Sequence, residues 1–326
     1  MQAKRAPRAS PVAAVPPATG KSRAVLGQLS DMDLRLLRVF KSVADCGGMA
    51  AAELELNIGT STVSRHVKDL ETRLGLVLCR RGRAGFALTA EGQRVYEETE
   101  RLLAAVEVFR GSVDDIHQRM GGQLAVAVFD KTASNPQARI GEAIALFAAR
   151  APEVGLQMHV ASINAIERGL IDGSFQVGII PAHRHSQSLL YDPLFTESMQ
   201  LYCGAAHPLF GAEHAALDWE GLRAWSFAGL GYHSPNMELS HGARLPRKAT
   251  GFDQESIATL ILSGRYLGFL PEHYAEAFER SGRMQAVAPQ RLRYECQFVG
   301  MLRRSPQPSR AAQAFRECLV QAHAGG

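Results

Sequence analysis

Residues 50–74 read AAAELELNIGTSTVSRHVKDLETRL. Two short helical patterns meet at the turn Asn57-Ile58-Gly59, where Gly59 suits a left-handed or closely packed backbone. In the second pattern Val63, Val67, Leu70 and Leu74 recur every three or four residues, which buries one helical face. Thr60, Ser61, Ser64, Arg65 and Lys68 lie on or around the opposite face. This is the pattern of a helix-turn-helix, which presents its second helix to the major groove of DNA.

The flanks supply what such a module needs. Upstream, a helix starts near Asp31 or Asp33, carries Leu34, Leu37, Val39, Phe40 and Val43, and stops at Gly47-Gly48; a short helix then spans 49–56. Downstream, apolar Leu76, Val77 and Leu78 lead to a basic hairpin tip at 80–85 and a strand at 86–88, which together read as a wing. Thr89 is a good N-cap for a long helix at 90–119, a rod of ~45 Å. Val95, Leu102, Leu103, Val106, Phe109, Val113 and Ile116 give this rod one apolar stripe. Such a stripe calls for a partner helix, from a second protomer or, alternatively, from its own domain.

Past Gly121-Gly122 the pattern changes. Strands at 124–129, 156–160 and 175–180 alternate with helices at 136–149 and 163–171, which implies a parallel sheet covered by helices. Residues 192–296 repeat the style, with strands at 199–203, 225–228 and 267–270 and a helix at 254–263. A strand at 296–302 and a helix at 308–322 close the chain. Such α/β lobes bind ligands at the carboxyl ends of their strands.

Composition sets the class. The chain has 326 residues, 46% hydrophobic and 21% charged, as in globular proteins, and no apolar run approaches a membrane span. The N-terminus lacks the pattern of a signal peptide. Five cysteines, odd in number and scattered, show no metal-ligand spacing. Free thiols in a reducing cytoplasm are expected, with no metal and no cofactor. No GxSxG, GxxxxGK[ST] or HExxH motif supports an enzyme. Charge is uneven: the Pro/Ala-rich stretch 1–29 holds Lys4, Arg5, Arg8, Lys21 and Arg23 with no acid, and is expected to be a disordered arm. Residues 60–83 hold six Arg or Lys against Asp69 and Glu71, a local basic surface in an otherwise near-neutral chain.

With these features in place, the chain resembles the LysR-type transcriptional regulators over about residues 31–322. Ser61-Thr62-Val63-Ser64-Arg65, then Leu70-Glu71, Leu74-Gly75, Leu78, Arg81, Leu88-Thr89 and Gly92 fall at the family's spacing. Further on, Ala151-Pro152-Glu153-Val154, His207-Pro208-Leu209 and Gly268-Phe269-Leu270-Pro271 are similar to recurrent family segments. The resemblance implies a multidomain chain mixing α+β and α/β parts: an arm at 1–29, a winged helix-turn-helix at 30–89, a dimerising linker helix at 90–120 and an effector domain at 122–326. That last domain would resemble a type 2 periplasmic binding protein, with lobe I at about 122–185 and 302–326, lobe II at about 190–300, and crossings near 181–192 and 297–303. It further implies a homodimer or homotetramer on promoter DNA whose contacts change when a small metabolite binds. Met49, Cys79, Thr60 and Gln176 depart from commoner family residues, and Thr60 leaves the operator sequence open.

Candidate sites follow. Thr60, Ser61, Ser64 and Arg65 are expected to touch bases and phosphates, since Arg reads guanine bidentately and hydroxyls are versatile. Lys68, Arg80, Arg81 and Arg83 are expected on phosphates, although any one could be a solvated charge or, as with Arg81, an internal salt bridge. An effector, expected to be anionic, would lie between the lobes. Thr132 matches the family position whose hydroxyl often meets the effector, with Ser134 nearby and Ser162 ahead of a helix. Gly229 and Tyr232 would form the facing wall, and Phe227 or Tyr232 could stack on a ring. Ser134 and Ser162 read equally as helix caps and Phe227 as core. His183, Arg184 and His185 read as a solvated loop, and Cys203 and Cys296 as buried thiols. A ligand-responsive transcription factor accounts for every segment; a constitutive repressor or architectural protein would use the lobes for oligomerisation alone.

Overall fold

The computed structural model describes residues 28–82, 85–116, 120–213 and 217–324. The arm up to residue 27, Arg83, His214 and the side chains of Arg81 and Ile116 lie outside the described residues. The chain divides into two compact units, one ending at Glu100 and one beginning at Arg101.

In the first unit, helix α1 (Asp31–Asp45) starts on a capping box: Ser30 Oγ accepts from the Asp33 amide, and the Asp33 carboxylate accepts from the Ser30 amide. Helices α2 (Met49–Leu56) and α3 (Thr60–Leu74) complete the helix-turn-helix. Val39, Val43, Met49, Ala52, Val63 and Val67 form its buried core. The left-handed residue of the turn is Asn57, at φ 51°, whereas Gly59 sits at φ −61° as the N-cap of α3. Asparagine tolerates that region because its short amide bonds locally. Gly59 therefore caps the helix and does not relieve backbone strain.

Strands β1 (Cys79–Gly82) and β2 (Gly85–Leu88) pair antiparallel as the wing. Glu71 holds the wing's root, its Oε1 accepting from the amides of Leu78 at 2.7 Å and Cys79 at 3.2 Å. Thr89 caps α4 (Ala90–Ile116), accepting from Gly92 N at 2.8 Å and donating to Val77 O at 2.6 Å.

The second unit is built on one mixed sheet. β3 (Gly122–Val128), β4 (Val154–Val160) and β5 (Val177–Pro181) are parallel in the order β4-β3-β5. Helices α5 (Ile140–Arg150) and α6 (Ile163–Asp172) make the crossovers. β6 (Leu189–Gly204) carries the chain to the second lobe, with β7 (Phe227–Leu230), α7 (Pro235–Gly242), β8 (Arg247–Gly251) and α8 (Gln254–Leu262). β9 (Leu267–Pro271), α9 (Glu272–Arg280) and β10 (Met284–Ala286) follow. β11 (Arg293–Arg303) returns and α10 (Arg310–His323) packs on α5 through Phe315 and Phe147, whose ring centroids lie 5.2 Å apart.

The crossings lie on the paired strands themselves. β6 runs antiparallel to β11 over nearly its whole length; its start lies beside the part of β11 that pairs β5, and Met199–Tyr202 pair with β9. The outward crossing thus falls at about 194–198, later than the 181–192 expected, and the return falls where the β6–β11 register shifts between Gln297 and Val299. Phe195 and Phe298 stack there at 4.7 Å, so the connection between the lobes is a paired, packed ribbon and not a loop.

Candidate functional site

Two surfaces carry chemistry. The first is the outer face of α3. Val63, Val67 and Leu70 are fully buried beneath it, each burial stabilising by ~1.5–3 kcal/mol, so the rotation of the helix is fixed. Ser61, Arg65 and Lys68 are exposed, and Arg65 has 81% of its side chain free with only Asp69 at 3.8 Å beside it. A surface pair that loose is worth little and yields readily to phosphate. Ser64 is half-buried, and Arg80 is exposed on the wing. Thr60 differs from the rest: its hydroxyl donates to Glu53, which ties α3 to α2. Arg73, further along α3, chelates the covered carboxylate of Asp33. Bonds from Ser30 and then Arg73 hold the Asp33 carboxyl down to about 2, so this buried charge persists at neutral pH.

The second surface is a narrow cavity inside the second unit, between the two lobes. Phe129, Ile163 and Pro181 line it from the first lobe; Glu197, Leu230, Gln254 and Tyr294 line it from the crossing strands and the second. None of the six residues expected at this site is among its lining residues, although Ser162 and Gly229 each immediately precede one that is. Thr132 is 2% exposed and its hydroxyl donates to Phe129 O. Ser134 bonds Lys131 O and His273 Nδ1, each at 2.9 Å. Ser162 is the N-cap of α6, without a side-chain cap bond, and precedes Ile163. Gly229 lies within β7, just before Leu230. Phe227 packs on Phe269 in the core, ring centroids 5.9 Å apart, because the inward face of a strand covered by helices is apolar. Tyr232 is 8% exposed, its phenol oxygen without a partner among the described residues.

One wall residue is acidic, and a second carboxyl lies nearby. Glu197 is 4% exposed, with His273 Nε2 at 2.8 Å. Asp130 ends β3's approach to the cleft, and its Oδ2 accepts from Gln254 N at 2.7 Å. Burial pushes the Asp130 carboxyl up to about 6 against that bond; Asp253 and Glu197 raise it, and Lys131 lowers it. Among the described residues no three His, Cys, Asp or Glu side chains form a metal-binding group.

Residues 34–93 match the family described as bacterial regulatory helix-turn-helix protein, lysR family, and residues 117–324 match the LysR substrate binding domain. The chain belongs to the LysR family. It is 37% identical over 295 residues to the HTH-type transcriptional activator BauR of Pseudomonas aeruginosa, covering 90% of this chain and 97% of BauR. It is 29% identical over 200 residues to the SDS degradation transcriptional activation protein of a Pseudomonas species, covering 60% of this chain and 64% of that one. Its fold matches the crystal structure of CbnR, a LysR family transcriptional regulator, with a TM-score of 0.61 at 20% identity, covering 89% and 99% of the two chains. CbnR complexed with its target DNA matches with a TM-score of 0.59 at 21% identity, again covering 89% and 99%.

This LysR-type regulator therefore joins a DNA-binding winged helix-turn-helix to an effector-binding α/β domain. Sequence reading missed Asp130, Glu197, Gln254 and Tyr294. Asp130 alone carried a usable signal, since it follows a strand end where α/β sheets place their ligands. His183 also corrects an expectation: its side chain is fully buried, 3.6 Å from Glu167 and 5.2 Å from the His233 ring, because its loop folds against α6 instead of into solvent. Gln176 is structural, bonding Ala125 N and Gly173 O, each at 2.8 Å. Cys203 and Cys296 are buried thiols, and burial pushes Cys203 up to about 11, away from thiolate chemistry.

Proposed function

We propose that this regulator reads operator DNA with Ser61, Ser64 and Arg65, set on phosphate by Lys68 and the wing arginines Arg80, Arg81 and Arg83, while Thr60 braces the turn. It acts in the cytoplasm as a homodimer or homotetramer, without catalytic activity, and a small molecule in the cleft between its lobes controls it. The observation that carries the reading is the outer face of α3: a solvent-facing arginine beside serine hydroxyls, above a helix face whose orientation the core fixes. Arg65→Ala should cost roughly 1–3 kcal/mol on a specific site and relax base preference, since a side chain on a base edge discriminates. Lys68→Ala should weaken all sequences about equally and reduce the salt slope by ~1. Gel-shift titrations over a range of salt check both; unchanged affinity and footprint for Arg65→Ala would remove the assignment.

A further inference from the structure

The cleft is furnished with acceptors. Asp130 Oδ2 takes the Gln254 amide, but Asp130 Oδ1 is buried with no partner among the described residues. Gln254 lines the cavity, is 2% exposed, and leaves its Oε1 equally unpartnered. The bond from the Gln254 backbone amide sets Asp130 beside Gln254, which lines the cleft. Glu197 lines the cavity with a buried carboxylate. The nearby basic side chains are already engaged. Lys131 pairs with Glu255 and covers the Tyr274 ring at 4.6 Å, and His273 bridges Glu197 and Ser134. Buried acceptors in native proteins find donors, and buried carboxylates find cations. A purely anionic ligand would bring a third negative charge to the cleft and offer the acceptors nothing.

We propose that the effector carries a protonated amine, received by Asp130 Oδ1, Gln254 Oε1 and the Glu197 carboxylate. An ammonium has three N–H donors and a compact charge, which suits up to three acceptors. This rests on the reading of the cleft as the effector site and replaces the expected anion with a cationic or zwitterionic molecule.

The test uses the full-length protein and three probes of one chain length: n-butylamine, γ-aminobutyrate and butanoate. At equal ionic strength, thermal shift and calorimetry should show binding by one or both amines and none by butanoate. Asp130→Asn and Glu197→Gln, each still binding operator DNA, should weaken the amine by about tenfold or more, as expected for a charge-assisted bond. Undiminished amine binding in both variants overturns the proposal. So does butanoate binding without amine binding, or no binding by any n-alkylamine of two to six carbons. Leu230→Phe, which narrows the cavity, separates this proposal from the cleft reading. If butanoate binds and Leu230→Phe blocks it, the cleft stands and the amine falls. If a ligand binds and Leu230→Phe leaves it untouched, both fall.

Discussion

Gly92 shows how one residue can hold the wing to the linker helix. A Cβ at this position would lie 2.0 Å from the Leu78 carbonyl oxygen, a backbone atom with little room to move. Gly92→Ala should therefore lower stability by roughly 1–3 kcal/mol, the usual range for overpacking, with matching loss of operator affinity. Chemical denaturation checks this, and a wild-type midpoint would show that the backbones separate freely. Asp130 makes a second residue-level statement. Its folded carboxyl titrates at about 6, above the ordinary 3.8, so its contribution to stability is full below about pH 4 and is lost as pH rises through 6. A bound ammonium favours the carboxylate and itself stays charged throughout this range. Amine affinity should thus rise about tenfold from pH 5 to 7, as ionisation no longer has to be driven by binding. Asp253, Glu197 and Lys131 also bear on this carboxyl, so calorimetry on Asp130→Asn is the control: an unchanged pH profile in the variant assigns the dependence elsewhere.

Among the elements, α4 is the least satisfied. Leu102, Leu103, Val106 and Val113 are only half-buried, and Phe109 is 69% exposed. An apolar stripe of that kind fits a helix awaiting its counterpart in another protomer. Val106→Asp should shift the protein to monomer in sedimentation experiments and abolish tight operator binding, because a charge in a dimer seam costs its desolvation. A variant that remains dimeric would place the seam elsewhere. The elements also mark what local pattern can and cannot disclose. Helices α1 to α3 were legible from caps, glycines and the spacing of Val63, Val67 and Leu70. That β3, β4 and β5 run parallel followed from alternation, though their order did not. By contrast, β8 reads Arg-Lys-Ala-Thr-Gly, a mostly exposed strand without apolar alternation, and α9 opens on Pro271 after an apolar strand. β6 continues through Pro193 because β11 pairs with it from a hundred residues away, a contact no window of sequence contains. The cleft's place between the lobes was legible, but its lining was not: Glu197, Gln254 and Tyr294 form no motif and meet only in the folded lobes.

At the scale of the whole molecule, the family assigns two activities to one chain, and a regulator must couple them. A ligand in the cleft can shift the lobes only by its difference in affinity for their arrangements, and the paired β6–β11 ribbon is the element that would have to yield. Coupling of ~1–3 kcal/mol corresponds to about a 5–150-fold change in operator affinity, and linkage requires the operator to change ligand affinity by the same factor. The most direct measurement is a nuclease footprint of the full-length protein on its own upstream promoter, with and without a saturating cleft-binding amine. The expected result is a footprint whose length, or pattern of enhanced cleavage, changes with ligand, and which loses that change in Asp130→Asn. An identical footprint and affinity at saturation would contradict control through the cleft.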